Sequence, residues 1–175
     1  TGSSQEGEDM IEQQKKVVKF TDPRISEALM EWWGSLDRNR GDRADLGRCK
    51  SPEDVVFVPA YHRLRTALSA FGNIYDPSLC IVAAVLSHAR EHDGSEKCAA
   101  QLARKPVGRD SPLMSERRFR KFLTIRDPAT LLREGIRAVR LLDGTVNIPD
   151  LAQSLYWWTR ETRKEWAFEY YGKIV

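Results

Sequence analysis

The chain has 175 residues, enough for one ordinary domain or two small helical ones, and its 41% hydrophobic and 30% charged residues are typical of a folded protein. No apolar run approaches the roughly 20 residues that a membrane-spanning helix requires. The three cysteines lie far apart without a C-x-x-C pair, which favours reduced, buried thiols over a disulfide framework or a structural zinc site.

Positive charge is concentrated in one part of the chain. The net charge is only +3, but residues 104–140 hold 11 basic and 4 acidic side chains, whereas residues 1–37 hold 4 basic and 8 acidic ones. This asymmetry indicates a polyanionic partner; a solvated helix face is the alternative that composition leaves open.

The first residues of the chain are polar and acidic, unlike a secretory signal peptide. We therefore expect a disordered leader over residues 1–20 and a cytoplasmic location.

Proline marks four predicted helix starts. In Asp22–Pro23, Asp76–Pro77 and Asp127–Pro128 an acceptor side chain at the N-cap precedes proline at the first helical position, and Ser51–Pro52 has the same form. Apolar residues then recur at helical spacing. Examples are Ile25, Leu29, Trp32 and Leu36 after the first start, and Leu132, Ile136, Val139 and Leu142 after the last. The only run with strand character, residues 55–58, is too short for a sheet, so the sequence predicts an all-α fold.

Breaks in the helical pattern divide the chain. Asp93–Gly94 and Asp143–Gly144 are predicted helix stops, because glycine and aspartate tolerate the backbone that ends a helix. Residues 105–112 contain two prolines and a glycine among polar residues and predict a linker. We expect two small helical bundles joined by it, an N-terminal one over residues 21–104 and a C-terminal one over residues 113–175.

The segment His88-Ala89-Arg90-Glu91-His92 matches the H-x-x-E-H pattern of some zinc peptidases. On a helix both histidines would share one face, with Glu91 as general base. The sequence shows no motif that would supply the third zinc ligand. We therefore expect no metal site and keep a zinc peptidase as a remote alternative.

Tryptophan pairs are the candidate base-stacking platforms. One member of each pair, Trp32–Trp33 and Trp157–Trp158, must point inward in an amphipathic helix. Their places on the apolar stripes favour the core for Trp32, Trp158 and Trp166.

Arginine-rich helix faces are the candidate nucleic-acid interface, because the guanidinium fork suits phosphate oxygens. Without base-reading motifs, they predict backbone binding with little sequence preference. The candidates are Arg48, Arg117, Arg118, Arg120, Lys121, Arg133, Arg137, Arg140, Arg160, Arg163 and Lys164.

A set of segments runs in a recognisable order from about residue 28 to residue 171. They are Trp32–Leu36, Gly41–Arg48, Ser51–Val55, Pro59–Leu64, Met114–Arg120, Leu141–Leu142, Trp157–Trp158 and Trp166–Tyr171. In this order they resemble the CasB family, the small subunit of the type I-E CRISPR surveillance complex Cascade.

The resemblance implies a helical protein of two bundles that binds target DNA within a crRNA-containing complex, beside other Cascade subunits and a second copy of itself. Such subunits hold the displaced strand and brace the R-loop; they are not enzymes and need no cofactor. By position, Arg48, Arg118 and the basic residues of the Arg137 and Arg160 helices match places where relatives present positive charge. Relatives often carry a second basic residue where Gly47 stands.

Two points stay open at the level of sequence. Arg43 and Arg63 match the same motifs, but their acidic neighbours make structural ion pairs an equal alternative. The main functional alternative is a free-standing helical module that binds single strands or RNA.

Overall fold

The computed structural model describes residues 17–174 and is built almost entirely of helices. In chain order the helices are α1 (Pro23–Arg38), α2 (Arg40–Gly47), α3 (Pro52–Val55), α4 (Pro59–Ser69), α5 (Asp76–Leu86), α6 (Cys98–Leu102), α7 (Glu116–Phe122), α8 (Pro128–Leu141), α9 (Ile148–Tyr156) and α10 (Arg160–Ile174). The predicted helical class is confirmed. None of the helices within residues 17–174 combines the length and the apolar character that crossing a bilayer requires.

Two short strands interrupt the helices, and the sequence did not predict them. Strand β1 (Glu91–His92) pairs in parallel with β2 (Thr145–Val146). A strand of two residues has no local periodicity, so only contact with a distant segment creates it.

Proline-marked helix starts are mostly as predicted. Asp22 accepts a hydrogen bond from the N–H of Arg24 at 2.9 Å, and Asp127 accepts one from the N–H of Thr130 at 2.8 Å. Ser51 occupies the N-cap of α3, although its hydroxyl does not bond to the first turn.

Asp76 is not the N-cap that the sequence predicted. Helix α5 begins at Asp76 itself, with Tyr75 as the N-cap. The Asp76 carboxylate instead accepts a hydrogen bond from Arg65 Nε at 2.8 Å and another from the Tyr61 hydroxyl. The Asp76 carboxylate therefore bonds to side chains of α4 and not to the first turn of its own helix, as the local pattern had predicted.

One predicted helix stop is confirmed and the other is wrong. Helix α8 ends at Leu141, before Asp143 and Gly144, whose φ angles of 52° and 77° are left-handed. Helix α5, however, ends at Leu86 and not at Asp93–Gly94. The backbone N–H groups of Arg90 and Glu91 donate to the carbonyl of Gly144, at 2.8 and 3.1 Å, and so leave the helix.

The disordered leader predicted over residues 1–20 does not extend to residue 20. Val18 and Phe20 are buried, because their apolar side chains join the core. The N–H of Phe20 donates to Gln153 Oε1 at 2.7 Å, and the Val18 carbonyl accepts from Trp157 Nε1 at 2.9 Å. Residues 1–16 of the leader lie outside the described residues.

Buried side chains of both predicted bundles belong to one continuous hydrophobic cluster. Helix α8 packs on α5, with Gly135 facing Val85 and close to Leu155 of α9. Helix α10 packs on α6, and residues 105–112 between α6 and α7 contain no helix or strand. Contact between two segments does not show whether each folds alone, so the division into two bundles stays a prediction.

All three cysteines are buried and unpaired, as predicted. Burial raises the pKa of the Cys80 thiol to about 11, which keeps it protonated and unreactive at neutral pH.

Candidate nucleic-acid interface

The two histidines of the H-x-x-E-H segment do not share a helical face. His88 follows the end of α5 and His92 lies in β1. His92 Nδ1 accepts a hydrogen bond from the N–H of Ile148 at 3.2 Å. Residues 17–174 contain no group of three or more His, Cys, Asp or Glu placed to hold a metal ion. The helical premise of the zinc-peptidase alternative is therefore wrong.

The indole N–H group of each of the five tryptophans donates a hydrogen bond within the protein. The pairs are Trp32 to the Ala60 carbonyl, Trp33 to the Ala89 carbonyl, Trp157 to the Val18 carbonyl, Trp158 to the Ile125 carbonyl, and Trp166 to Ser154 Oγ. Trp32, Trp33 and Trp166 are buried, and Trp157 and Trp158 are half-buried against the core. The core assignments of Trp32 and Trp166 are confirmed, Trp158 is only partly in the core, and burial removes Trp33 from the stacking candidates.

Replacing Trp33 by leucine should separate packing from stacking. We expect a loss of about 1–3 kcal/mol in the free energy of unfolding, from the lost hydrogen bond and the space left behind. DNA affinity should stay unchanged at a temperature where the variant is fully folded. Denaturant titration and fluorescence anisotropy measure the two quantities, and a large loss of affinity in the folded variant would show that Trp33 stacks on bases.

Three cavities that share lining residues make up the surface that we call the basic groove. The first, the α2 cavity of about 620 Å³, lies between α2 and the segment after α5. The central cavity, of about 580 Å³, shares Gly47 and Arg48 with it. The α7 cavity, of about 600 Å³, lies between α7 and α8 and shares Arg133 and Arg137 with the central one.

Cationic side chains dominate the walls of the basic groove. Eleven arginines and lysines line the three cavities, against two carboxylates, Asp127 and Glu134. The eleven are Arg40, Arg43, Arg48, Lys50, Arg90, Arg118, Lys121, Arg126, Arg133, Arg137 and Arg140. A concave surface lined by one sign of charge concentrates counterions of the other sign, here polyanions.

Helix α8 lines two of the three cavities of the groove. Its apolar residues at helical spacing are buried, and they are Leu132, Ile136 and Val139. Its exposed arginines follow the adjacent face, about 100° round the helix, and they are Arg133, Arg137 and Arg140. One amphipathic helix therefore anchors in the core and presents three guanidinium groups in a row.

Aromatic packing orients the cations of α7. Phe119 stacks on Tyr170 with ring centroids 3.8 Å apart, and Phe122 stacks on Trp166 at 5.3 Å. With these two side chains held inward, the helix directs its charged face to solvent. The cations of that face that line the groove are Arg118 and Lys121.

The two groove carboxylates neutralise little of this charge. Asp127 is occupied by the N–H and the hydroxyl of Thr130. Glu134 Oε1 lies 2.8 Å from Arg137 Nη1 and 3.8 Å from Arg133 Nε. Within residues 17–174, Arg118 and Arg140 pair with no carboxylate. Exposed ion pairs such as those of Glu134 contribute only about 0–1 kcal/mol, so a phosphate group can replace the Glu134 carboxylate as the partner of these arginines.

Comparison with known proteins gives the family. The family model described as CRISPR-associated protein Cse2 matches residues 42–171. The chain belongs to the Cse2 family. Cse2 is the CasB subunit, so the resemblance found in the sequence is confirmed. No curated protein matches the chain.

A solved structure shares the fold of this Cse2 chain. It is a chain in the crystal structure of E. coli Cascade bound to a PAM-containing double-stranded DNA target, at 21% identity and a TM-score of 0.64. The match covers 85% of the present chain and 95% of the E. coli one. At this identity the likeness establishes the fold.

The groove brings together six of the eleven residues predicted from the Cse2 sequence. They are Arg48, Arg118, Lys121, Arg133, Arg137 and Arg140. The other predicted residues do not line its cavities, and they are Arg117 and Arg120 on α7 and Arg160, Arg163 and Lys164 on α10. Arg163 donates to the carbonyls of Thr159 and Leu123, which holds it at the end of α7. A nucleic-acid role for all eleven stays a prediction.

Sequence reasoning missed four cations of the groove, Arg40, Lys50, Arg90 and Arg126, and left Arg43 open between strand contact and an ion pair. The structure gives Arg43 an ion pair, with Asp37. Arg126 directly precedes the Asp127–Pro128 helix start, so its neighbours could have suggested it. Arg90 lies inside the H-x-x-E-H segment, for which only a zinc peptidase was considered, as a remote alternative. Nothing local distinguishes the rest from ordinary surface charge.

Gly47 offers a place to strengthen the groove. A Cβ there would lie 3.7 Å from two ring atoms of His88 and 3.8 Å from Ser87 Oγ, ordinary contact distances. Gly47→Arg should therefore be accommodated in α2, tighten DNA binding and steepen its salt dependence by about one unit. Gly172→Arg on α10 is the matched control, since it adds the same charge outside the groove. Equal gains from both variants would mean that net charge alone governs binding.

Proposed function

We propose that this chain is a non-enzymatic small subunit of a crRNA-guided DNA surveillance complex, and that its basic groove holds the displaced DNA strand and stabilises the R-loop during antiviral defence. The observation that carries the proposal is the basic groove, whose three cavities are lined by eleven cations and two carboxylates. Membership of the Cse2 family and the fold shared with a chain of DNA-bound Cascade support it.

The chemistry of the groove suits a strand backbone. Guanidinium groups donate to phosphate oxygens in a fixed fork, and phosphate contacts fix position without reading sequence. R-loop formation is nearly balanced, because the heteroduplex gained is about as stable as the duplex lost. A few contacts to the displaced strand therefore shift the equilibrium, while guide pairing supplies the specificity.

The proposed function implies four partners: target DNA, the crRNA-containing complex, its other subunits and a second copy of this chain. A free-standing strand-binding module would share the groove but not these partners. Co-purification of a tagged chain with a crRNA and backbone subunits supports the proposal, and recovery of the tagged chain alone from cells that express the whole set favours the module.

Within the assembled complex, Arg118→Ala and Arg140→Ala should leave guide loading intact and make R-loops less stable. Both arginines lie in the groove without a carboxylate partner among the described residues, so each is available to a phosphate. Single-molecule R-loop lifetimes and crRNA content measure the two effects. Unchanged lifetimes with normal assembly would contradict a strand-holding groove.

A further inference from the structure

Arg43 of α2 is an unusual residue for a helix surface. Its side chain is only 7% exposed, and none of its three guanidinium nitrogens donates a hydrogen bond to the described part of the protein. Asp37 Oδ1 lies 2.9 Å from Nη1, so the charges pair, but without the geometry of a hydrogen bond. A buried donor without a partner costs stability, and a charged one costs more.

The surroundings of Arg43 make this cost larger. The α2 cavity that it lines also contains Arg40, Arg48 and Arg90; no carboxylate lines the cavity itself, and Arg48 pairs with Asp45 outside it. Burial, followed by the neighbouring charge of Arg90, lowers the pKa of the Arg43 guanidinium. Cations that repel one another around unsatisfied donors are stabilised by an anion that accepts from several of them at once.

His88 belongs to the same cavity. Its Nε2 is buried and has no hydrogen-bond partner among the described residues. Burial lowers the pKa of the imidazole below its usual 6.5, and the charges of Arg140 and Arg90 lower it further. The ring is therefore neutral at pH 7, and a bound anion would favour its protonation.

We propose that the α2 cavity binds one phosphate group of the strand held by the basic groove, with Arg43 as its main donor, and so anchors that strand at a fixed point. This inference rests on the proposed function. A phosphate offers several acceptor oxygens, which the Arg43 fork and the His88 ring can share. Because Gly47 and Arg48 line both this cavity and the central one, a strand in the groove reaches its mouth.

The histidine resonances of the full chain provide the first test. The protein has three histidines, and His62 and His92 lie outside the cavity, hydrogen-bonded to Val56 and Ile148. Inorganic phosphate should raise the pKa of His88 in an NMR titration and leave the other two unchanged. An oligothymidine should produce the same selective shift, and His88→Gln assigns the signal.

Arg43→Met provides the second test, because methionine keeps most of the volume and removes the unsatisfied donors. The variant should melt at the same temperature as the wild type or higher, and phosphate, which raises the wild-type Tm, should no longer do so. A residue that served only the fold would give a lower Tm. Arg24→Met, at an exposed position of α1, is the control.

The outcomes distinguish a failure of the phosphate anchor in the α2 cavity from a failure of the proposed function. A selective His88 shift with both phosphate and oligothymidine, lost in Arg43→Met, supports the anchor. If oligothymidine binds through Arg118 and Arg140 but His88 does not move, the anchor is wrong and the proposed function stands. A shift with phosphate alone overturns the anchor as a strand site. If oligothymidine does not bind at all, both proposals fall.

Discussion

Replacing Arg118, Arg137 and Arg140 together by alanine should weaken DNA binding equally for unrelated sequences and flatten its salt dependence. Each neutralised phosphate contributes a slope of roughly −0.7 to −0.9 in log K against log salt, so the triple variant should lose about 2 to 3 units. The three arginines line adjoining parts of one groove. Fluorescence anisotropy over a salt series measures the slope directly.

A control of equal charge is available outside the groove. Arg24, Lys105 and Arg109 are exposed and line none of its cavities. Their triple alanine variant removes the same charge and should change the slope little. If both triple variants flattened it equally, binding would depend on net charge and the groove would have no special role.

The loss of DNA affinity in single arginine variants should depend on whether the arginine is already ion-paired. Arg137 is partly engaged by Glu134 at 2.8 Å, whereas Arg140 has no carboxylate partner within the described residues. A phosphate must displace Glu134 before it binds Arg137 fully, so Arg140→Ala should cost more affinity than Arg137→Ala. Glu134→Gln should tighten binding, because it frees two arginines of the groove.

A large loss of stability is expected from a bulkier side chain at Gly135. A Cβ at this position of α8 would lie 3.0 Å from Val85 Cγ2 and 3.6 Å from Leu155 Cδ2, with all three residues buried. Gly135→Val should therefore lower the free energy of unfolding by about 1–3 kcal/mol, the usual cost of overfilling a packed core. Denaturant titration measures the loss.

Two further variants test the physical cause. Adding Val85→Ala removes the contacted methyl groups, so the double variant should recover part of the loss, a coupling that independent sites do not show. Gly172→Val on α10, where nothing lies within 4 Å of the new Cβ, should be nearly neutral. No recovery in the double variant would contradict the assigned contact. Since α8 carries the groove arginines, a shifted α8 should also weaken DNA binding.

Local patterns explain why the helices could be predicted. Apolar spacing and the proline starts at Asp22 and Asp127 act within a few residues, and the structure follows them. The same reasoning failed at Asp76 and at Asp93–Gly94. There, Arg65 and the Gly144 carbonyl, distant in sequence, supply the hydrogen bonds that decide the local structure.

By itself, the sequence determined the helical class, the buried thiols and the concentration of positive charge over residues 104–140, since composition and periodicity are carried by neighbouring residues. The family came from the resemblance of an ordered set of segments to CasB. Only the tertiary structure decided which cations share a surface. The packing of α2, α7 and α8 brings Arg48 beside Arg137 and Arg118 into the same groove. It also buries Arg43 without hydrogen-bond partners among the described residues. Burial and proximity depend on how distant helices pack, and no local spacing in the chain encodes that.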